Sequence, residues 1–79
     1  MDAATVKSLL QAKLEGCEIF VEGEGDRYNI TVVGELFADM RPVKKQQLVY
    51  AGLADQIAAG SIHAVNIRTF TPEQWQALA

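Results

Sequence analysis

The sequence predicts a small α+β domain in which helices cover one face of a short β-sheet. Three observations predict this class: helical spacing of apolar residues in the first segment, two strand-like segments around a glycine-rich turn, and a proline-led helical segment before a third strand-like segment. The expected order is helix, strand, strand, short helix, long helix, strand, helix. The two-helix connection can return the third strand to the same sheet in parallel orientation, so we expect a three-stranded mixed sheet.

The first half of the chain is predicted to form one helix and a β-hairpin. Apolar residues recur at helical spacing over residues 3–14, and Gly16 follows at a position where a positive φ suits the end of a helix. The hairpin pairs residues 18–22 with residues 28–33 across a turn at residues 23–27. One face of the hairpin is expected to be buried, and its alternating apolar residues are Ile19, Val21, Tyr28, Ile30 and Val32.

The middle of the chain is predicted to be helical. A single turn is expected between Gly34 and Met40, and the main helix is expected from Pro42 to Ala59, because proline suits the first helical position and Gly60 can end the helix. The predicted buried stripe of this helix consists of Val43, Tyr50, Leu53, Ala54 and Ile57.

The last part of the chain is predicted to be a strand followed by a helix. The strand covers residues 62–70, and the final helix begins with a capping box in which Thr71 and Gln74 bond to each other's backbone around Pro72. Phe70 and Trp75 flank this cap at the spacing of a hydrophobic staple.

Composition limits the classes of protein that the chain can belong to. At 79 residues we expect one domain over residues 1–79, with a globular balance of 49% hydrophobic and 22% charged residues. The formal net charge of −3 opposes general attraction to nucleic acid. A single cysteine, no secretory signal pattern and no long apolar run favour a cytoplasmic protein without a membrane span.

A basic cluster lies at the predicted start of the main helix. Arg41, Lys44 and Lys45 hold three of the seven basic residues, although cations at a helix N-terminus oppose the helix dipole. One hypothesis is an anion site for phosphate or for the carboxylates of a partner. The alternative is a solvated charged surface without a binding role.

His63 is the single histidine, and it lies at the entry of the predicted third strand, on the same alternating face as Val65 and Ile67. It is interpreted either as a core histidine that bonds to the backbone or as a metal ligand, since a neutral imidazole nitrogen coordinates iron or zinc. No second histidine or cysteine pair accompanies it, so any metal would be shared with a partner.

The other chemically capable residues give no catalytic constellation. Cys17 is expected to be a small apolar filler of low reactivity. Gly23-Glu24-Gly25 is assigned to a turn, since it lacks the third glycine and the following helix of a phosphate-binding loop. The sequence has no pair of carboxylates at a spacing that indicates acid–base catalysis, and no catalytic triad can be built around its single histidine. The chain is therefore not expected to be an enzyme.

Several segments together resemble the BolA family. They are Val33-Gly34-Glu35-Leu36-Phe37, the run from Arg41 to Tyr50, Ile62-His63-Ala64-Val65, and Thr69-Phe70-Thr71-Pro72. The Val-Lys-Lys-Gln-Gln form of the central run is similar to the acid-responsive, IbaG-like bacterial branch. The resemblance implies a class II KH-like fold with the order αββααβα.

The resemblance also implies a role for His63. In this family the histidine before the last strand is a ligand of a [2Fe-2S] cluster shared with a monothiol, CGFS-type glutaredoxin, whose cysteine and bound glutathione complete the coordination. Isolated, the protein is expected to hold no cofactor. Family members usually place a second His or Cys ligand between the first two strands, whereas this chain has Asp26 and Arg27, with Arg27 at the aligned place. Arginine cannot ligate iron, so Asp26, or Cys17 if the fold brings it close, is left as a candidate.

Two functional hypotheses follow. The first is a non-enzymatic adaptor in iron–sulfur cluster trafficking or iron sensing that binds the glutaredoxin through His63. The second is a KH-like nucleic-acid-binding or transcription-regulatory stress module that uses Arg41, Lys44 and Lys45, although the chain lacks a Gly-x-x-Gly clamp. In either case the isolated protein is expected to be a monomer or a weak homodimer with no membrane association.

Overall fold

A mixed three-stranded sheet organises residues 1–78, which are the residues that the computed structural model describes; Ala79, the end of the predicted domain, lies outside them. The helices are α1 (Ala3–Lys13), α2 (Pro42–Ala51), α3 (Ala54–Ala58) and α4 (Pro72–Ala77). The strands are β1 (Glu18–Glu24), β2 (Arg27–Val33) and β3 (Ala64–Phe70), and a single 3-10 turn covers Glu35–Phe37. The α+β class and the element order agree with the prediction, apart from a division of the main helix.

The sheet has the order β1-β2-β3, with β1 antiparallel and β3 parallel to β2. The predicted mixed sheet is therefore confirmed. The residues of the hairpin that were predicted to share a buried face do share it: Ile19 pairs with Val32, and Val21 pairs with Ile30. β3 continues the same face, because Ile30 pairs with Ile67 on its other side.

The hairpin turn is tighter than the sequence predicted. Only Gly25 and Asp26 separate the two strands, because Glu24 still pairs with Arg27. Gly25 has a φ of 65°, and Asp26 is not among the positive-φ residues. A positive φ at only the first central residue is the requirement of the type II′ turn, which favours glycine there and matches the twist of the two strands.

The predicted main helix is divided after Ala51 into α2 and α3, which corrects the continuous helix expected from Pro42 to Ala59. The break follows from packing against α1. A Cβ added to buried Gly52 would lie 3.0 Å from Cδ2 of Leu10, so the missing side chain allows α1 to approach closely. The chain then turns at Leu53, whose side chain is fully buried, before α3 starts.

The predicted buried stripe of the main helix is also largely wrong. Val43 is 68% exposed, Tyr50 is 40% exposed and Ala54 is also exposed. Leu53 is fully buried and Ile57 packs against the core, as predicted, and Val49, which the prediction did not include, is fully buried. α2 therefore carries two apolar sides, one toward the core and one toward solvent.

The core lies between the helices α1 to α3 and the inner face of the sheet. Its buried members are Val6, Leu10, Leu14, Cys17, Ile19, Tyr28, Ile30, Val32, Phe37, Val49, Leu53 and Ile62. Asp2 caps α1 by accepting a hydrogen bond of 2.8 Å from the backbone N–H of Thr5, which places Val6 and Leu10 on the core side.

α4 packs on the opposite face of the sheet, which the prediction of helices on one face did not include. The predicted capping box is present: Gln74 N–H donates to Thr71 Oγ1 at 3.2 Å, and Thr71 N–H donates to Gln74 Oε1 at 2.9 Å. The indole of Trp75 stacks on Phe20 at a centroid distance of 5.3 Å and contacts Phe70 at 5.4 Å. No helix among residues 1–78 combines the length and the apolar character needed to cross a bilayer.

Candidate functional site

The backbone of His63 is fixed beside the hairpin turn. Its N–H donates to the carbonyl oxygen of Asp26 at 2.7 Å, and the N–H of Ala64 donates to the same oxygen at 3.1 Å. The neighbouring residue Ile62 is buried in the core with 2% exposure. These contacts hold the chain on both sides of the His63 Cα and set where its side chain leaves the backbone.

The side chain of His63 is exposed. The interpretation of this residue as a core histidine is therefore wrong. An exposed imidazole on a fixed backbone can contact a partner without a rearrangement of the fold. That is the geometric requirement for a ligand shared between two proteins.

Asp26 is the carboxylate that the fold brings next to His63. Arg27 pairs with Ala64 at the start of the parallel ladder, and the residues before them, Asp26 and His63, are joined by a backbone hydrogen bond. Both side chains are exposed. Arg27 is displaced from them by one residue, so its side chain leaves toward the other face of the sheet. The parallel pairing predicted from the sequence indicates this juxtaposition only once the register of β2 and β3 is known.

Cys17 is not part of this arrangement, which corrects its candidacy as a metal ligand. It precedes β1 at the end of the hairpin far from the turn, and the seven residues of β1 separate that end from Gly25. At about 3.3 Å per residue the strand spans roughly 20 Å. The residue is buried, packs beside Gly34, and burial raises the pKa of its thiol, so the thiolate needed for metal binding is disfavoured.

The basic cluster is at the opposite end of the crossover from His63. Arg41 is the exposed N-cap residue of α2 and Lys44 is exposed, whereas Lys45 is half-buried. A connection between parallel strands begins at the C-terminal end of one and finishes at the N-terminal end of the other. The basic cluster lies at the start of α2, near the C-terminal end of β2, whereas His63 lies just before the N-terminal end of β3. The structure therefore does not combine them into one site.

Residues 1–78 contain no group of three or more His, Cys, Asp or Glu side chains placed to hold a metal ion. His63 and Asp26 together offer one imidazole and one carboxylate. This donor set fits an iron centre only if a second protein supplies the remaining ligands.

A family model described as BolA-like protein matches residues 6–74. The chain belongs to the BolA family. The acid stress protein IbaG of Escherichia coli is 43% identical over 75 residues, which are 95% of this BolA-family chain and 89% of that protein. The recognition of an IbaG-like BolA protein from sequence motifs is thereby confirmed.

Two further comparisons extend this assignment. The DNA-binding transcriptional regulator BolA of Vibrio cholerae is 43% identical over 56 residues, covering 71% of this chain and 52% of that protein. A solved BolA protein homologue from Coxiella burnetii has a TM-score of 0.86 with 22% identity and covers 96% of this chain and 97% of that chain. The second comparison shows that the BolA fold is shared.

Proposed function

We propose that this BolA-family protein is a non-enzymatic adaptor in iron–sulfur cluster trafficking or iron sensing. In this proposal it binds a monothiol, CGFS-type glutaredoxin, and His63 contributes a ligand to a [2Fe-2S] cluster held between the two proteins. The cluster is the cargo of the complex. The glutaredoxin cysteine and a bound glutathione supply the other ligands outside this chain.

The exposure of His63 on a fixed backbone is the observation that carries the proposal. The hydrogen bond of 2.7 Å from its backbone N–H to the carbonyl oxygen of Asp26 holds the residue beside the hairpin turn. A neutral imidazole coordinates iron through a ring nitrogen, and mixed nitrogen and thiolate ligation of [2Fe-2S] clusters is chemically stable. Because the described residues contain no three-ligand group, a shared cluster suits this chain better than a private one.

Asp26 is the candidate for the second contribution from this chain. Its side chain is exposed, and its backbone carbonyl accepts the hydrogen bond from the backbone N–H of His63. A carboxylate oxygen is a harder donor than the imidazole or thiolate that the family places in this loop, so the mixed cluster is expected to be bound more weakly than in family members with His or Cys there.

Anaerobic reconstitution tests the proposal. The protein is mixed with a CGFS glutaredoxin, glutathione, iron and sulfide, and visible absorption and circular dichroism follow the cluster. We expect a heterocomplex spectrum that differs from the glutaredoxin homodimer and that is lost in His63→Ala. Ser61→Ala is the matched control, because Ser61 is also exposed and precedes the same strand. A homodimer spectrum that the protein leaves unchanged, or a His63→Ala variant equal to wild type, contradicts the proposal.

Nucleic-acid binding and transcriptional regulation form a second candidate function. The exposure of Arg41 and Lys44 at the start of α2 supports it, together with the name of the Vibrio cholerae relative. Phosphate binding by these cations would weaken with salt. Binding to duplex DNA at low ionic strength, reduced by Lys44→Ala and not by Lys7→Ala, would support it, and undetectable binding at low salt would reject it.

A further inference from the structure

α2 and α3 line a shallow, open groove. Its volume is about 790 Å³. The residues that line it are Pro42, Val43, Gln46, Gln47, Tyr50, Ala51, Ala54, Ile57 and Ala58. Seven of the nine are apolar, so the division of the main helix creates a second apolar surface in addition to the core.

The groove leaves large apolar side chains in water. Val43 is 68% exposed and Tyr50 is 40% exposed, and they lie seven residues apart, so they are two turns apart on the same side of α2. Gln46 is held in place, since its Nε2 donates to the carbonyl oxygen of Ile67 at 3.1 Å. Exposed apolar side chains grouped on one face, beside a side chain fixed by a hydrogen bond, form a candidate docking surface.

The charges at the margins of the groove are asymmetric. Arg41 precedes the lining residue Pro42, and Lys44 lies one turn before Gln47 on the exposed side of α2. Lys45 lies one turn before the buried Val49 and is half-buried, so it belongs to the core side. Positive charge therefore borders the groove at the start of α2, in a chain with a net charge of −3.

The single charged residue of α3 is Asp55, which follows the lining residue Ala54 near the corner between the helices. The other end of the groove, at Arg41 and Lys44, is the cationic one. An occupant with carboxylates at one end of an apolar stripe would complement this distribution.

Shape and size favour a single helix as the occupant. Nine lining residues are fewer than the roughly 20–30 residues per side of a stable protein–protein interface, so the groove alone is too small to hold a stable dimer of two copies. A small apolar ligand would be poorly enclosed, since such ligands usually bury about 70–90% of their surface. An amphipathic helix matches the groove, because α2 has ten residues and is therefore about 15 Å long.

We infer that the α2–α3 groove binds a short amphipathic helix of another protein, with apolar side chains at helical spacing over Val43 and Tyr50 and with carboxylates near Arg41 and Lys44. This inference concerns a surface distinct from His63 and does not depend on cluster binding. The anchors of the partner helix would follow the i, i+3 or i+4, i+7 pattern.

A displayed library of random 16-residue peptides is the probe. It is panned on the wild-type protein with counter-selection on Val43→Glu, and enriched peptides are synthesised and measured by fluorescence anisotropy. Val43→Glu is expected to fold, since Val43 is exposed and an acidic side chain in the first turn of a helix is favourable. Leu78→Glu is the matched control, because it makes the same apolar-to-acidic change at a residue that is 60% exposed and follows α4 as its C-cap.

We expect enriched peptides with apolar residues at helical spacing and with Asp or Glu, which lose roughly tenfold or more in affinity with Val43→Glu. Tyr50→Ala should weaken them as well, and the double change Arg41→Ala and Lys44→Ala should reduce both affinity and its salt dependence. Leu78→Glu and His63→Ala should bind as wild type does.

Other outcomes overturn the inference. Panning that recovers no peptide sensitive to Val43→Glu shows that the groove is not a helix-binding site. Enriched peptides without acidic residues remove the assigned charge complementarity. A concentration-dependent dimer of the wild type that Val43→Glu dissociates identifies a second copy as the occupant, and competition of the peptides by duplex DNA identifies nucleic acid. Loss of peptide binding in His63→Ala would place the peptide at the His63 site, whereas failure of cluster binding alone leaves the groove assignment intact.

Discussion

The backbone N–H of His63 donates to the carbonyl oxygen of Asp26 at 2.7 Å, which joins the residue before β3 to the turn between β1 and β2. The contact uses main-chain atoms only. Side chains at both positions can therefore change without loss of the bond that holds them together. Substitution of Asp26 can thus vary the donor beside His63 on an unchanged backbone.

Asp26→His is predicted to strengthen the mixed cluster with a CGFS glutaredoxin. The variant adds a second imidazole at the residue whose backbone is bonded to His63, and imidazole is a better ligand for iron in a thiolate-containing cluster than a carboxylate oxygen is. The measurement is the rate at which the visible spectrum of the reconstituted complex decays during chelator challenge, which should fall below the wild-type rate.

Arg27→His is the control for this prediction. It introduces the same side chain one residue later, where the alternation of β2 directs it toward the other face of the sheet. If Arg27→His protects the cluster as well as Asp26→His does, the ladder register does not determine the second ligand.

Gly34→Ala is predicted to destabilise the fold by about 1–3 kcal/mol, the usual cost of overpacking a close-packed interior. The backbone of Gly34 is extended, so the cost is steric and not conformational. An added Cβ would lie 2.6 Å from Sγ of Cys17 and 2.8 Å from Cδ2 of Leu36. Urea unfolding measures the loss.

The double variant Gly34→Ala with Cys17→Ala tests the origin of that loss. Removal of the sulfur opens space for the new methyl group, so the combined change should cost less than the sum of the single changes. Strictly additive free energies of unfolding would show that contact with Cys17 is not the cause.

Thr71→Ala is predicted to loosen α4 by about 0.5–2 kcal/mol, the usual cost of removing an N-cap side chain. The helix has six residues and depends on its cap and on the contacts of Trp75. The backbone N–H of Trp75 donates to the Thr71 carbonyl oxygen at 2.9 Å, and its hydrogen exchange should accelerate. Thr71→Ser keeps the hydroxyl acceptor and should stay near wild type; equal acceleration in both variants would exclude the cap as the cause.

Local signals predicted the hairpin, the capping box and the third strand, because each depends on residues close together in the chain; the parallel pairing of that strand came from the rule for crossover connections. The contact of Gly52 with Leu10 joins distant segments, so no pattern within residues 42–59 indicated the break in the main helix. Helical periodicity also identified the apolar stripe through Val43 and Tyr50 without showing which side of α2 faces the sheet, and the structure places that stripe in solvent.

The candidate site was predictable to a similar extent. The family motif singled out His63, but neither its exposure nor its pairing with Asp26 follows from the order of residues alone. Cys17 was rightly expected to be a buried filler, and its distance from the turn became clear only with the full length of β1.

Stability is predicted to fall as the pH rises above about 8.5, the ordinary pKa of a thiol. Burial raises the pKa of the Cys17 thiol. Burial also raises the pKa of Tyr28, and the nearby carboxylates of Asp2, Asp26 and Glu24 raise it further. The Tyr28 hydroxyl donates a hydrogen bond of 2.6 Å to the Gly25 carbonyl oxygen. The folded state therefore holds both protons when the unfolded chain has begun to release them, so this stabilisation is complete at neutral pH and is lost in alkali.

Urea midpoints between pH 7 and pH 10.5 should fall more steeply in the wild type than in the double variant Cys17→Ala with Tyr28→Phe. Tyr50→Phe changes an exposed phenol and should keep the wild-type slope; an equal slope in all three proteins would show that the buried thiol and phenol do not control alkaline unfolding.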